Sequence, residues 1–349
     1  VRDGYVFAVK HLAGQEVEAL LPGLLQDILT SLNFPKTMRW ADYDFRFVRP
    51  IRWMVALFGD DVIPVEITGV KSGKLSRGHR FLRPALVEEA KAIESLDDAK
   101  ELLEKAVSAV KNTVTSAINK TAGVVEIPCA EAYEQVLMDN FVMVDQDARR
   151  ELIRQQVIDL AVEEGGHAEI DEDLLEEVNY LVEWPTALCG KFEDKFLALP
   201  KECIITPMRE HQRYFPVLKE DGSLLNKFIT VRNGGKEHLE VVAHGNERVL
   251  RARLADAEFF FNEDRKQPLE ARLAKLCTVS FQEGLGNMND KSQRLVKAAD
   301  MIAFGLNSKV DKEKLARTAL LCKTDLVTGM VVEFTELQGV MGREYALLD

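Results

Sequence analysis

Little in this sequence can hold a metal, staple a fold or cross a membrane. Its five cysteines, Cys129, Cys189, Cys203, Cys277 and Cys322, are odd in number, widely spaced and never in a CxxC pair. That argues against a disulfide framework and a zinc ribbon and leaves free, mostly buried thiols. The six histidines include no HExxH pair, and the last is His244, so residues 245–349 offer no imidazole to a metal. No GxSxG elbow provides an activated serine. The loop VKSGKLSRGHRFLRP at 70–84 is not a P-loop: Leu75 follows Gly73-Lys74 where Ser or Thr is needed, and Thr68 holds the place of the first glycine. No apolar run approaches the roughly 18 residues of a membrane span. No basic, apolar leader opens the chain, so a cytoplasmic protein without membrane contact is expected. The chain begins at Val1 rather than Met and stops after a helical pattern, which suggests an excised fragment.

What is present is charge, unevenly spread. The net charge is −12, which would repel a nucleic acid if it were uniform. Residues 36–83, however, hold ten Lys and Arg against five Asp and Glu, whereas residues 84–200 hold ten against 26. A basic island on an acidic protein can still hold a phosphate backbone. The alternative is that Arg46, Arg49 and Arg52 merely neutralise Asp42, Asp44, Asp60 and Asp61. Trp40, Phe45, Phe47 and Trp53 are interleaved with these arginines, a pattern that can stack and clamp nucleotides. Aromatics at strand spacing are more often core, so Phe47 and Trp53 are read first as buried. In the 70–84 loop, Arg77, His79 and Arg80 can wrap phosphate or, equally, cap neighbouring backbone.

A chain of 349 residues is long for one core, and two domains are expected. Strands are predicted over 4–9, 51–59, 141–144, 184–192 and 228–235, with DD at 60–61 turning the 51–59 strand into VIPVEI. Helices are predicted over 16–32, from 86 to about 120, over 148–164 and over 171–181. Residues 1–262 therefore form an α/β domain with a mixed sheet and a helical insertion at about 86–122, and residues 263–349 an all-α domain. Glu183 beside Trp184 has no second carboxylate or histidine at a spacing that would make it a catalytic acid.

The densest stretch is 245–273, GNERVLRARLADAEFFFNEDRKQPLEARL. At 100° per residue Leu250, Leu254, Ala257 and Phe261 form one stripe, with Arg248 and Arg251 on another side. Asn246 is a candidate N-cap, and Pro268 suggests a second helix. Arginine suits phosphate because its planar fork makes two parallel hydrogen bonds. The bland reading has Arg248, Arg251 and Arg253 paired with Asp256, Glu258 and other acids on a solvated face.

The wording is more specific than the spacing. GNERVLRARLADAEFFFNEDRK at 245–266 resembles the signature of the β subunit of bacterial heterotetrameric (α2β2) glycyl-tRNA synthetase. So do MRW at 38–40, FRFVRPIRWMVALFGDDVIP at 45–64, SRGHRF at 76–81, LLEEVNYLVEWPTALCGKFEDKFLALP at 174–200, HQRYFPV at 211–217 and DLVTGMVVEFTELQGVMGREYA at 325–346. The resemblance implies a subunit that grips tRNA(Gly) while a separate α subunit binds ATP, magnesium and glycine and makes the ester. It implies no cofactor in this chain, and none of the fRxE, GxGxxER, HIGH or KMSKS motifs of a synthetase ATP site is present. The α/β part would resemble the B3/B4 domain of phenylalanyl-tRNA synthetase β subunits, placed here on the acceptor arm. Editing is not expected, because a sieve for products smaller than glycine has nothing to exclude. The helical part would be the start of a degenerate HD-like domain, with Thr324-Asp325 where His-Asp would stand and Asp325 and Glu333 as structural or RNA-facing caps. The 86–122 insertion departs from the family pattern. The cationic candidates for tRNA are Arg39, Arg49, Arg77, His79, Arg80, Arg209, Arg213, Arg248, Arg251 and Arg253; catalytic and metal residues are expected to be absent. An assembly scaffold for the α subunit that never touches RNA, or a hydrolase or editing domain, are the alternatives.

Overall fold

The computed structural model describes residues 14, 16–82, 123–307 and 309–349. The strand expected at 4–9 and the insertion at 86–122 lie outside them. The fold mixes small sheets with many helices, and contacts divide it into two compact units, Val1–Gln146 and Asp147–Asp349.

In the first unit, helix α1 (Val17–Ser31) accommodates Pro22 in its second turn and buries no residue. The single strand expected at 51–59 is two short ones, β1 (Met54–Val55) and β2 (Leu57–Phe58). Strand β2 pairs with β3 (Asp61–Val62), Phe58 opposite Asp61, so the turn is Gly59-Asp60 rather than Asp60-Asp61. Gly59 sits at φ +58°, the left-handed conformation that a tight hairpin needs and glycine supplies without strain. Pro64, which has no amide to donate, separates β3 from β4 (Glu66–Ile67). Strand β5 (Val70–Gly73) then runs antiparallel to β4 and parallel to β1, a mixed three-stranded sheet. Ser72 ties it internally, donating to the Ile63 carbonyl at 2.6 Å and accepting from the Val65 amide at 2.9 Å. Strand β6 (Leu75–Arg77) pairs with β7 (Val124–Glu126), and a short 3-10 turn leads into α2 (Tyr133–Asp139). The strand expected at 141–144 is instead a turn and an extended connection. Phe141 takes φ +60° and closes the turn by donating to the Met138 carbonyl at 3.0 Å.

The second unit is a layered α/β structure. Helix α3 (Gln146–Glu163) is followed by β8 (His167–Ala168) and α4 (Glu172–Leu181). Asp171 caps α4 by accepting from the amides of Asp173 and Leu174, both at 3.0 Å. Strands β9 (Pro185–Lys191), β10 (Phe215–Leu218) and β11 (Leu224–Asn233) complete a sheet of order β8-β10-β11-β9 that is antiparallel throughout. Period-two alternation splits its residues between two cores. Phe215, Val217 and Ile229 join Ile153, Val157, Leu175 and Val178 from α3 and α4. On the other side Phe228 and Leu224 join α5 (Lys201–Thr206) and the long helix α6 (Leu239–Asp264) through Cys203, Ile204, Leu250, Leu254, Ala257 and Phe261.

Phe228 lies opposite Gly190 in the β9/β11 register and stacks on Tyr214 with ring centroids 4.6 Å apart. A Cβ on Gly190 would enter the Phe228 ring. Gly190→Ala is expected to cost about 1–3 kcal/mol through overpacking, read as a shifted denaturation midpoint with unchanged slope.

Helix α6 begins seven residues before the expected cap, so Asn246 lies inside it. The expected stripe of Leu250, Leu254, Ala257 and Phe261 is its buried face. The same core takes in Leu269 from the 3-10 segment Leu269–Thr278, Met330 and Val331 from helix α9 (Gly329–Glu333), Phe334 just after it, and Met341 and Tyr345 from α10 (Val340–Leu348). Residues on both sides of Asn262 therefore share one core, and the division of the chain into compact units falls after Gln146 instead. Between these elements, α7 (Met288–Gly305), opened by an Asn287–Asp290 capping box, packs against α8 (Lys312–Leu321).

Candidate nucleic-acid interface

In the second unit the candidate arginines are mostly committed to carboxylates of this chain. Arg251 binds Glu193 at 2.5 Å and Arg253 reaches Glu333 at 3.6 Å. The partners are distant in sequence, not neighbours on the helix. Glu258, an expected arginine partner, takes Lys195 at 2.9 Å instead, and Glu247 accepts from the Lys191 amide at 3.0 Å. Arg209 bonds to Asp171, the cap of α4, and Arg213 to Glu177 at 2.5 Å. Arg213 stands at φ +61° after the π-helical turn Pro207–Gln212 and folds its guanidinium back on the Glu210 carbonyl. These two close a turn against α4. Arg248 differs: it is exposed and has no ion pair among the described residues.

Thr324 and Asp325 are fully buried. Asp325 accepts the Gly339 amide at 2.5 Å and, through its carbonyl, the Thr328 hydroxyl at 2.6 Å, a structural role. Among the described residues no three His, Cys, Asp or Glu side chains gather as a metal site would require, and no helix is long and apolar enough to cross a membrane. The buried Cys203 thiol is pushed up to about 12 by burial and the half-buried Cys189 to about 11, again mainly by burial, so neither is a ready nucleophile.

Among the described residues of the first unit the arginines are less neutralised. Arg39 is held by Asp44 at 3.0 Å and by the Tyr43 carbonyl at 2.8 Å. Arg49 touches only the Val48 carbonyl, at 3.0 Å, among the described residues. Arg46 and Arg52, which are not among the candidates, are exposed and make no ion pair among the described residues. Arg80 lies 5.7 Å from the Phe81 ring centroid and is exposed. Arg77 stacks its guanidinium 5.2 Å from the Trp53 centroid. Trp53, expected in the core, is 45% exposed, whereas Phe47 is half-buried between Phe34 and Phe45. His79 is the exception in the other direction. It is buried, and its Nδ1 accepts the amides of Phe81 and Leu82 at 3.2 and 3.0 Å, so it organises the loop and has no surface to offer a ligand.

The difference matters energetically. A partly exposed ion pair contributes only about 0–1 kcal/mol, yet an arginine that leaves its carboxylate for a phosphate also leaves a repelling anion beside it. An exposed arginine without an ion pair has neither cost. The first unit's Arg46, Arg49, Arg52 and Arg80, with Arg248 in the second, are thus the cations best prepared for an external anion.

A family model described as glycyl-tRNA synthetase beta subunit matches residues 1–122 and 98–349. The chain is 47% identical over 346 residues to the glycine–tRNA ligase beta subunit of Moorella thermoacetica, covering 99% of this chain and 44% of that protein. It is 45% identical over 343 residues to the protein of the same description from Bacillus subtilis, covering 98% and 45%. The chain belongs to the glycyl-tRNA synthetase beta subunit family, and it spans less than half the length of these relatives.

Proposed function

We propose that this chain is the part of a glycine–tRNA ligase beta subunit that binds and positions tRNA(Gly), while a separate α subunit joins glycine to the tRNA at the expense of ATP. The observation that carries this is the 47% identity, over 346 residues, to a protein named as that subunit. On this reading the enzyme is a cytoplasmic heterotetramer of protein biosynthesis, ATP and magnesium belong to the α subunit, and this chain supplies no catalytic group. Its α/β part is B3/B4-like and its helical part HD-like. The mechanism is positional: phosphate contacts fix the register of the tRNA so that its terminal adenosine enters the partner's active site, turning an encounter into an oriented step.

The internal pairing of Arg209, Arg213, Arg251 and Arg253 favours a scaffold role for much of the second unit, with the RNA grip concentrated in the first. Reconstitution tests the proposal. The complete beta subunit with the α subunit is expected to glycylate tRNA(Gly), and the α subunit alone to do so at least tenfold more slowly. Equal rates with and without this chain would refute it.

A further inference from the structure

The first unit holds a cavity of about 320 Å³ lined by Trp53, Val55, Leu57, Ser76, Ala130 and Tyr133. Three short strands, a 3-10 turn and the start of a helix build it. Strand β1 and the residue before it bring Trp53 and Val55, the adjoining β2 brings Leu57, β6 brings Ser76, and the 3-10 turn Ala130–Ala132 with the start of α2 brings Ala130 and Tyr133. Its two aromatic rings are neither core nor fully exposed: Trp53 is 45% and Tyr133 38% accessible. A buried aromatic is explained by packing. Two half-exposed rings on the wall of one cavity, one of them (Trp53) from the stretch with excess positive charge, are explained better by a flat partner.

We propose that this cavity takes one unpaired nucleobase of a single-stranded RNA segment, stacked on Trp53 and bounded by Tyr133. The site refines the tRNA-binding reading and rests on it. Cavities of this size suit a small flat ligand. Arg77, stacked on the indole, and the exposed Arg52 next to Trp53 put cations beside the ring, where the phosphates that flank a base would lie. Glu131 and Glu134 flank Tyr133 in the chain, so the backbone of the bound strand would run on the Arg52 and Arg77 side. A paired base cannot enter, because stacking on both faces occupies it already. The site therefore selects an end, loop or bulge over a duplex.

The test uses the complete subunit and a single-stranded RNA pentamer with a central 2-aminopurine, beside the same strand in a duplex. Adding the subunit is expected to quench the single strand on binding and to leave the fluorescence of the duplex, already quenched by its own stacking, unchanged. Trp53→Ala should weaken single-strand binding about 5- to 150-fold and abolish the quenching. Ala130→Phe, which fills the cavity from another element and leaves Trp53 in place, should do the same. Unchanged affinity and quenching in both variants would overturn the site. So would a Trp53→Ala variant that binds the pentamer normally but loses the α subunit, which would make the cavity a protein contact. Glycylation measured on the same preparations separates the two levels: a failed cavity with beta-dependent glycylation leaves the proposed function standing, whereas beta-independent glycylation removes it.

Discussion

Asp264→Ala is expected to destabilise the second unit by about 3–5 kcal/mol, the cost of breaking a buried ion pair from one side. Asp264 ends α6 at 5% exposure, and its carboxylate accepts the amides of Gly329 and Met330, both at 2.8 Å, and the Tyr345 hydroxyl at 3.1 Å. Arg272, itself buried, lies 3.4 Å away and also donates to the Asp264 carbonyl at 2.7 Å. One side chain thus caps α9, anchors α10 and balances the Arg272 charge. Burial, and then the neighbouring Asp264 carboxylate, raise the Tyr345 phenol above its usual range, so it stays a donor. Alanine leaves a buried guanidinium uncompensated and two amides without an acceptor. Chemical denaturation should show the midpoint falling at constant slope, and a loss below about 1 kcal/mol would mean that apolar packing alone joins these helices. Asp264→Asn keeps an acceptor but loses the charge, and a smaller loss is expected.

Replacing Arg46, Arg49 and Arg52 together with alanine is expected to lower tRNA affinity by roughly two to three decades at 0.1 M salt, since each phosphate contact carries a counterion-release contribution near one decade there. All three are exposed and none makes an ion pair among the described residues, so the folded state should melt within about 0.5 kcal/mol of the parent. The measurement is fluorescence anisotropy of labelled tRNA(Gly), with a thermal melt as the control. A loss of less than threefold would take these arginines off the RNA surface.

The sequence made some of this legible for identifiable reasons. The Leu250, Leu254, Ala257 and Phe261 stripe was readable because periodicity records burial directly. The start of that helix was not. Gly245 costs a helix about 1 kcal/mol, and with Asn246 after it the pair resembles a boundary, yet the helix runs through both, tied to β9 where Glu247 accepts the Lys191 amide. Asp264 was missed as a hub because its partners Gly329, Met330 and Tyr345 are far along the chain and no local pattern joins them. Arginine pairing failed the same way: the helical spacing rule pointed to Asp256 and Glu258, while Arg251 and Arg253 use Glu193 and Glu333. In the first unit the balance of charge was visible, but not which acid each cation takes. Among the described residues Asp44 takes Arg39 and no arginine takes Asp42, Asp60 or Asp61, which leaves Arg46 and Arg52 among the exposed cations. Trp53 was misjudged because β1 and β2 are too short to bury every aromatic at strand spacing.

The most direct test of where RNA is held is the slope of log affinity against log salt for tRNA(Gly), measured on three forms of the complete subunit. The account predicts that Arg46, Arg49 and Arg52 to alanine makes the slope shallower by about 2 to 3, whereas Arg209, Arg213, Arg251 and Arg253 to alanine changes it by less than about 1. The opposite order, a slope that survives loss of the first set and collapses with the second, would contradict it.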